Sequence, residues 1–412
     1  MRNALIAVAV VASLSLIGCN SDSSSTPTVP DNGTPPTVPD NGTALPEPTL
    51  ALGIGAVPQA LAETYTKALK FNRHTKVASA DGGAIHIVAQ DQLSDNQIVR
   101  VRNVLQHYLA PYPGSEYGAN KDAIGNKMAE NGAILLLLNG SDDGTNPAAE
   151  LDGQPLYHDE IQVEGGPWYT AQNYEHRDAT FEEILHLVHD YGIGVDQNAS
   201  FAGVLPEYQA EIRAAQIEAL NDNRWGIGSQ DWIDELTAEN SLSQEYLASL
   251  IDAYYGLWGA WDESSDHSMW GLYYGKTREQ LPQSDPQGWA LMQAKLFHPY
   301  LTYNARIDAS FSGDFSLRFD ASKPYTHHAQ YLQDITLTGS NPVNVVVNQR
   351  NNHISGNDGS NTVLFSGSSA QYQWQTDSNG VTTVEDMVDN RDGVNRLQAI
   401  EQLGFTDTVV TL

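Results

Sequence analysis

Residues 180–190 read TFEEILHLVHD, and this stretch decides how the rest of the chain is interpreted. At the helical repeat, Glu182 and His186 are four residues apart and share one face. The opposite face is apolar and carries Phe181, Leu185 and Val188. The pattern predicts an amphipathic helix over 179–191 that presents two metal-ligand side chains to one side and packs its other side on a core.

The sequence around this helix alternates between strand-like and helix-like patterns. Strands are predicted at 84–89, 133–138 and 156–163, the last alternating like an edge strand. Further helices are predicted at 61–69, 95–109, 122–130, 206–221, 229–237, 243–256 and 286–298. This order predicts an α+β domain over 55–305, in which a mixed sheet and an active-site helix are followed by a mainly helical lobe.

A second motif follows about 20 residues after His186. Residues 206–211 read PEYQAE and open another predicted helix. Glu207 is a candidate third metal ligand, which would leave one coordination position of a zinc ion for water. Glu211, one turn later, is a candidate for orienting a ligand. Glu183, next to Glu182, is placed to take a proton from zinc-bound water.

The element order and these two motifs resemble the zincin metallopeptidases, and most closely the glutamate-ligand (gluzincin) branch that includes thermolysin. The family reads His-Glu-x-x-His on its active helix, where this chain reads EEILH at 182–186. The resemblance implies zinc held by Glu182, His186 and Glu207, with Glu183 as general base. It departs at Glu182, where the family has histidine. The extra carboxylate would make a bound water less acidic.

Other interpretations of the same residues stay open at the sequence level. Thr180 and Glu183 have the spacing of a capping box, and acidic residues suit the first turn of any helix. The histidines of this helix could simply be hydrogen-bonded core residues, and Glu207 could be an ordinary helix start. A metal could also be bound by a different set of side chains, drawn from His158, His176, His186, His189 and Asp190.

The composition excludes one class of function. The chain of 412 residues carries 21 Lys and Arg against 51 Asp and Glu, a formal net charge of −30. Such a chain repels polyanions, so a nucleic-acid binder is excluded. The hydrophobic fraction of 41% is enough for a packed core, and a single cysteine rules out an intrachain disulfide.

The N-terminus is expected to be a targeting signal. Residues 1–19 combine Arg2, an apolar stretch and the ending LIGC, which resembles the lipobox of bacterial lipoproteins. Cys19 would then be acylated, and Asn20 favours the outer membrane, with the protein on its periplasmic or cell-surface side. Residues 20–54 form a predicted disordered tether, in which PTVPDNGT occurs at 27–34 and again at 36–43.

The region 306–412 is predicted to be an all-β module, because short strand patterns recur every 8–12 residues. Residues 356–363, GNDGSNTV, and the sequence from 384 onward resemble the β-roll modules of serralysin-type and other RTX proteins. The resemblance implies a short β-roll that could bind calcium. Asparagine in place of the calcium-ligating aspartate indicates that this binding is weak or absent.

Together these features predict a surface-anchored, zinc-dependent, peptidase-like hydrolase that acts on a peptide or protein and meets the membrane only through its lipid anchor. The rival hypothesis is a non-catalytic zincin-fold lipoprotein that serves as an adhesin or binding protein. A glycan hydrolase is a third class, although no acid/base pair of carboxylates stands out in the sequence. The oligomeric state is not indicated by the sequence.

Overall fold

The computed structural model describes residues 45–412. The predicted lipoprotein signal with Cys19 and the tether up to residue 44 lie outside the described residues. The last part of the predicted tether, residues 45–54, is structured instead, because Glu47–Ala51 forms a helix and Ile54 packs into the core. The described chain combines a four-stranded sheet and a set of helices with a strand-rich C-terminal region. The prediction of a mixed α+β fold followed by a β-rich region is therefore confirmed at this level.

The first sheet has its strands in the order β1 (Phe71–Ala78), β2 (Ala84–Gln90), β3 (Ile134–Leu138) and β4 (Gln154–Tyr157). β1 and β2 are antiparallel, whereas β2, β3 and β4 run parallel. β3 reads ILLLL and is buried along nearly all its length, as a strand covered on both faces requires. The edge strand predicted over 156–163 exists, but it ends at Tyr157. β1 was not predicted, because Arg73 and His74 interrupt the alternation of apolar and polar residues that is typical of a strand.

The helices of the described chain are α1 (Glu47–Ala51), α2 (Asp95–Leu109), α3 (Asp122–Glu130), α4 (Pro167–Ala171), α5 (Thr180–Val188), α6 (Pro206–Asn221), α7 (Gln230–Glu239), α8 (Leu242–Tyr254), α9 (Leu281–Ser284), α10 (Pro286–Met292) and α11 (Thr326–Ala329). The predictions for α2, α3 and α6 are confirmed to the residue. α2 begins with a capping box formed by Ser94 and Gln97.

The helix predicted over 61–69 does not form. Turns occupy this segment, and only a short 3₁₀ turn (Lys67–Leu69) follows. The reason is local: the Thr66 hydroxyl accepts a hydrogen bond from the Leu69 backbone N–H and so starts a new turn, which ends at Lys70 with a left-handed φ of 68°. The predicted helix over 286–298 likewise stops early, at Met292.

The helix α5, predicted over 179–191, is shorter than predicted. It ends at Val188, and a wide turn (His189–Ile193) leads to Gly194, which has a φ of 101°. A Cβ atom on Gly194 would lie 2.5 Å from the backbone nitrogen of Gly203, so a side chain cannot be accommodated there. This tight crossing carries the chain from α5 towards α6.

The C-terminal region contains β5 (Leu301–Ile307), β6 (Gly313–Ser316), β7 (Leu332–Leu337), β8 (Val343–Val346), β9 (His353–Ser355), β10 (Asn361–Leu364), β11 (Tyr372–Thr376), β12 (Val381–Asp386), β13 (Val394–Gln398), β14 (Gln402–Gly404) and β15 (Val409–Thr411). From β5 to β10, successive strands alternate between a six-stranded and a five-stranded sheet, and each joins its sheet parallel to its neighbours. The domain boundary predicted at 305/306 falls inside β5, and one apolar core continues across it.

Buried asparagines connect successive turns of this region. The Asn357 side-chain amide donates to the carbonyl oxygens of Thr338 and Asn341, at 3.1 and 2.9 Å. Asn361 is fully buried, and its amide donates to the Val343 carbonyl at 3.0 Å. Amide hydrogen bonds from asparagine side chains therefore connect these segments of the C-terminal region.

A buried guanidinium holds the elements around α2 together. Arg100 contacts both oxygens of Asp178, at 3.1 and 2.7 Å, and its Nε lies 3.1 Å from Glu164. All three side chains are nearly inaccessible. Burial alone would raise the pKa of Glu164, but the Arg100 charge lowers it to about 2. Asp178 precedes α5 directly, so this network fixes where the active-site helix begins.

We expect Arg100→Met to lower the free energy of unfolding by ~3–5 kcal/mol, because it leaves two buried carboxylates without their cation. Chemical denaturation followed by circular dichroism measures the change. Arg396→Met is the matched control, since Arg396 is exposed and its loss should cost less than ~0.5 kcal/mol. Equal effects of the two substitutions would contradict this account of the core.

Candidate metal centre

The site is formed where α5 packs against α8. α8 runs through the interior, and its residues from Ser243 to Tyr254 are all buried. Glu245 lies in the first turn of α8 and is 5% exposed. It faces the same side of α5 that carries Glu182 and His186, which are 2% and 9% exposed.

Glu182, His186 and Glu245 form a compact group. One ligand-type atom from each residue lies within 4.8 Å of the other two. The His186 Nε2 atom is 3.5 Å from Glu245 Oε1, and it has no hydrogen-bond partner although it is buried. Burying an imidazole nitrogen without a hydrogen-bond partner costs free energy. A cation bound at this nitrogen would remove that cost, so the arrangement is suited to a bound cation.

The spacing of the group fits a small divalent ion. Ligand bonds of ~2.0–2.2 Å in a tetrahedral zinc site separate the ligand atoms by roughly 3.3–3.6 Å. The 3.5 Å between His186 Nε2 and Glu245 Oε1 falls in this interval, and the ligand-type atoms of all three residues lie within 4.8 Å of one another. Carboxylate and imidazole groups are ordinary ligands of zinc and of other first-row metals. This buried group can therefore hold a metal ion.

Glu183 lies at the rim of the group. Its side chain is 18% exposed, compared with 2% for Glu182 and 6% for Glu245. Gln154 of β4 donates a hydrogen bond of 2.8 Å to Glu183 Oε2, and the same oxygen lies 3.7 Å from His186 Nδ1. The edge strand β4 thus positions a carboxylate that is close to the metal ligands and accessible from outside.

Arg177 provides a positive charge on the other side of the group. It forms an ion pair with Glu182 Oε2, and its guanidinium lies 5.9 Å from the ring centre of Trp270. Asp252 lies two helical turns after Glu245 and is also buried, and its Oδ1 has no hydrogen-bond partner. Burial, followed by the charge of Glu182, raises the pKa of Asp252 well above its usual range. Arg177 therefore offsets the carboxylate that stands where the zincin family has histidine.

The group strongly favours positive charge at His186. Burial by itself lowers the pKa of the His186 imidazole, but the carboxylates of Glu245, Glu183 and Glu182 together raise it to about 10. Burial also raises the pKa of Glu245 to about 7, against the effect of His186. The same carboxylates that retain a proton on His186 would attract a metal cation in its place.

The structure does not bring Glu207 into this group. Glu207 is exposed in the first turn of α6, and Glu245 supplies the third ligand-type atom instead. Glu211 accepts a hydrogen bond of 2.8 Å from the Tyr117 hydroxyl and pairs with Lys295, away from His186. The motif at 206–211 therefore has a structural role on α6 and not the role of a ligand helix.

The alternative ligands predicted from the sequence also have other partners. His189 is fully buried, its Nε2 bonds to Gln209 at 2.6 Å, and burial lowers its pKa to about 4. Asp190 accepts a hydrogen bond of 3.2 Å from Gln244. His176 is exposed, and His158 pairs with its neighbour Asp159. The interpretation of a hydrogen-bonded core histidine therefore fits His189 but not His186.

The capping-box interpretation of α5 is wrong. Ala179 is the N-cap residue, the Asp178 carboxylate accepts a hydrogen bond of 3.2 Å from the Thr180 backbone N–H, and the Thr180 hydroxyl has no hydrogen-bond partner. Glu183 accepts its hydrogen bond from Gln154 and not from the start of its own helix. The acidic pair in the first turn is thus directed towards the site.

Glu245 was missed in the sequence, although a signal was present. α8 reads LSQEYLASLIDAY, and its two acidic residues are seven positions apart, on one face of an otherwise apolar helix. Burying carboxylates in such a helix requires a partner. Only the packing of α8 on α5 shows that the partner of Glu245 is His186.

We expect the purified full chain to bind one zinc ion, and Glu245→Gln to weaken that binding at least ~100-fold, since a direct ligand matters more than the outer-shell partners that change affinity 10–100-fold. Equilibrium dialysis with metal analysis gives both values. Glu207→Gln is the matched control and should bind zinc like the natural chain. Loss of zinc in Glu207→Gln together with retention in Glu245→Gln would restore the original ligand assignment.

Comparison with known proteins adds no relative: no family model matches the sequence, and no curated protein matches it either. Within residues 45–412, no helix is both long enough and apolar enough to cross a bilayer. The functional argument therefore depends on the chemistry of the site itself.

Proposed function

We propose that this protein is a zinc-dependent, peptidase-like hydrolase in which Glu182, His186 and Glu245 hold the metal and Glu183 activates water. The observation that carries the proposal is the convergence of two buried carboxylates and one buried imidazole, with a third carboxylate at the rim. Compared with the prediction from the sequence, Glu245 takes the place of Glu207.

Each residue has a distinct task in this proposal. Glu182, His186 and Glu245 would hold a zinc ion, which would supply a Lewis acid and lower the pKa of a bound water. Glu183 accepts the proton of the attacking water, and its hydrogen bond from Gln154 fixes the carboxylate in place. Arg177 holds Glu182 in its orientation and offsets one of the negative charges.

The position of β4 supports an extended peptide as the substrate. β4 is the last strand of its sheet, so one side of its backbone is not paired with another strand of that sheet. Gln154, the contact of Glu183, lies in this strand. A peptide that pairs with β4 would therefore pass directly beside Glu183.

The finer fold assignments are part of the same proposal. We infer a zincin-like arrangement for residues 55–305, supported by the sheet, by α5 and by a ligand from a later helix. We infer a short β-roll for 306–412, supported by parallel strands that alternate between two sheets. Both inferences rest on element order and pairing, together with the motifs in the sequence.

We also propose that Cys19 carries a lipid and anchors the protein to the outer membrane, on the periplasmic or cell-surface side. The support is the sequence of residues 1–19, in which Cys19 follows an apolar stretch and is the single cysteine of the chain. The lipid would be the anchor of the folded region, with residues 20–44 as the connection.

A second candidate function is a binding protein or adhesin that keeps the fold without the chemistry. One observation favours it: Arg177 already supplies a cation to Glu182, at the position where the resemblance implies histidine. In that case the ion pairs alone would stabilise the group, and the edge of β4 would bind a peptide without cleaving it.

For the hydrolase, we expect Glu183→Gln to keep its zinc but to cleave an unfolded protein substrate at least ~100-fold more slowly, because the general base is lost. Cleavage is followed by gel electrophoresis and mass spectrometry, and zinc by metal analysis. Glu207→Gln should retain full activity. Cleavage that survives in Glu183→Gln would exclude this mechanism.

For the binding protein, the natural chain would bind no zinc, and the double substitution Glu182→His with Arg177→Met would create a zinc site of two histidines and one glutamate. Removing Arg177 together with Glu182 avoids leaving an unpaired buried charge. Zinc titration by calorimetry distinguishes the candidates. Tight zinc binding by the natural chain would exclude the non-metal scaffold.

A further inference from the structure

One short segment contrasts with the acidity of the chain. Residues 64–80 contain four of the 21 Lys and Arg residues and none of the 51 Asp and Glu residues. The four cations are Lys67, Lys70, Arg73 and Lys76. A basic segment in a chain with a net charge of −30 is a local exception that calls for a physical explanation.

The structure places this segment at an edge. It includes β1, the outermost strand of its sheet, and the turn that precedes it. Lys67, Lys70 and Lys76 are exposed, whereas Arg73 is buried and pairs with Asp95 at 3.3 Å. Lys76 forms no ion pair with any residue of the described range 45–412. Three exposed lysines thus lie on β1 and the turn that precedes it, and we call Lys67, Lys70 and Lys76 the basic edge.

A pocket of about 610 Å³ adjoins this edge. Lys76 and Arg102 line it, and Asp and Glu are absent from the lining residues that the structure describes. Arg102 is held in the wall because its Nη1 donates to the Leu52 carbonyl at 2.8 Å and to the Thr75 hydroxyl at 2.9 Å. The pocket therefore offers fixed donors and positive charge to an anion of moderate size.

The pocket also lies where the preceding chain enters the fold. Leu50, Gly53 and Ile54, among the first described residues, line it. Residues 20–44 connect this point to Cys19, the proposed site of lipid attachment. A lipid anchor would hold this side of the molecule closest to the membrane surface.

We propose that the basic edge and its pocket dock onto the phosphate headgroups of an anionic lipid surface, so that the anchored protein stands in a defined orientation. The inference rests on the proposed lipid attachment for its choice of partner, but not on the proposed hydrolase. Phosphate groups match the donors offered by lysine and arginine.

The overall negative charge does not prevent this docking. The Debye length is ~8 Å at physiological ionic strength, so acidic residues farther from the contact are largely screened. The charges next to the lipid decide the interaction, and these are the lysines of the basic edge. The acidic remainder would keep the other faces away from an anionic surface, which strengthens the preference for one orientation.

The experiment uses the full chain, inserted through its own anchor into vesicles of phosphatidylcholine with or without phosphatidylglycerol. A water-soluble acetylating reagent modifies exposed lysines, and mass spectrometry quantifies each site. We expect Lys67, Lys70 and Lys76 to be modified on the order of fivefold less with phosphatidylglycerol at ~0.01 M salt, and the difference to disappear at ~1 M salt. Lys323, in the C-terminal region, is the internal control and should be unaffected.

Two variants make the outcome specific. Lys70→Gln with Lys76→Gln should abolish the protection of Lys67, whereas Lys323→Gln should preserve it; circular dichroism verifies that both variants are folded. Equal modification in the two kinds of vesicle, or protection by inorganic phosphate without lipid, would overturn the proposal.

The mass of the purified chain shows separately whether Cys19 is acylated. If it is not, sedimentation with the same vesicles tests the basic edge independently of the anchor.

Discussion

The packing of the described elements depends on the buried ion pairs that Arg100 forms with Glu164 and Asp178. Its guanidinium lies in the interior between α2 and the segments on either side of α4, where Glu164 and Asp178 neutralise it. Tyr303 of β5 extends the network to the C-terminal region through a hydrogen bond of 2.6 Å to Glu164. Buried charges must be paired with good geometry, so these four elements can be assembled in few ways. The starting point of α5 follows from that assembly.

The same requirement explains the candidate metal centre. Four acidic side chains, Glu182, Glu183, Glu245 and Asp252, lie close to one another, where carboxylates would repel each other and lose their hydration. Arg177 neutralises one of them, and His186 carries positive charge among the others. A divalent cation would satisfy the group more completely than a single proton does. A metal-binding role and the stability of the α5–α8 contact are therefore linked.

Charge is distributed unevenly at the level of the whole molecule as well. Most cations of the described chain are used internally, as Arg100 and Arg177 illustrate, or paired at the surface with acidic neighbours. The basic edge brings together three exposed lysines on the edge strand β1 and on the turn that precedes it. In the C-terminal region, asparagine side-chain amides donate hydrogen bonds to backbone carbonyl oxygens of preceding segments and so connect segments that are distant along the chain.

The sequence by itself determined the mixed fold class, the three helices α2, α3 and α6, and the pairing of Glu182 with His186, because these follow from periodicity within one segment. It did not determine the third ligand. Glu207 had the expected spacing along the chain, but spacing does not fix where a later helix packs. Only the tertiary structure placed Glu245 of α8 against His186, since that contact depends on how two apolar faces fit together over a separation of 59 residues. The same limit applies to β1 and to the alternating C-terminal sheets, whose partners lie outside the local sequence.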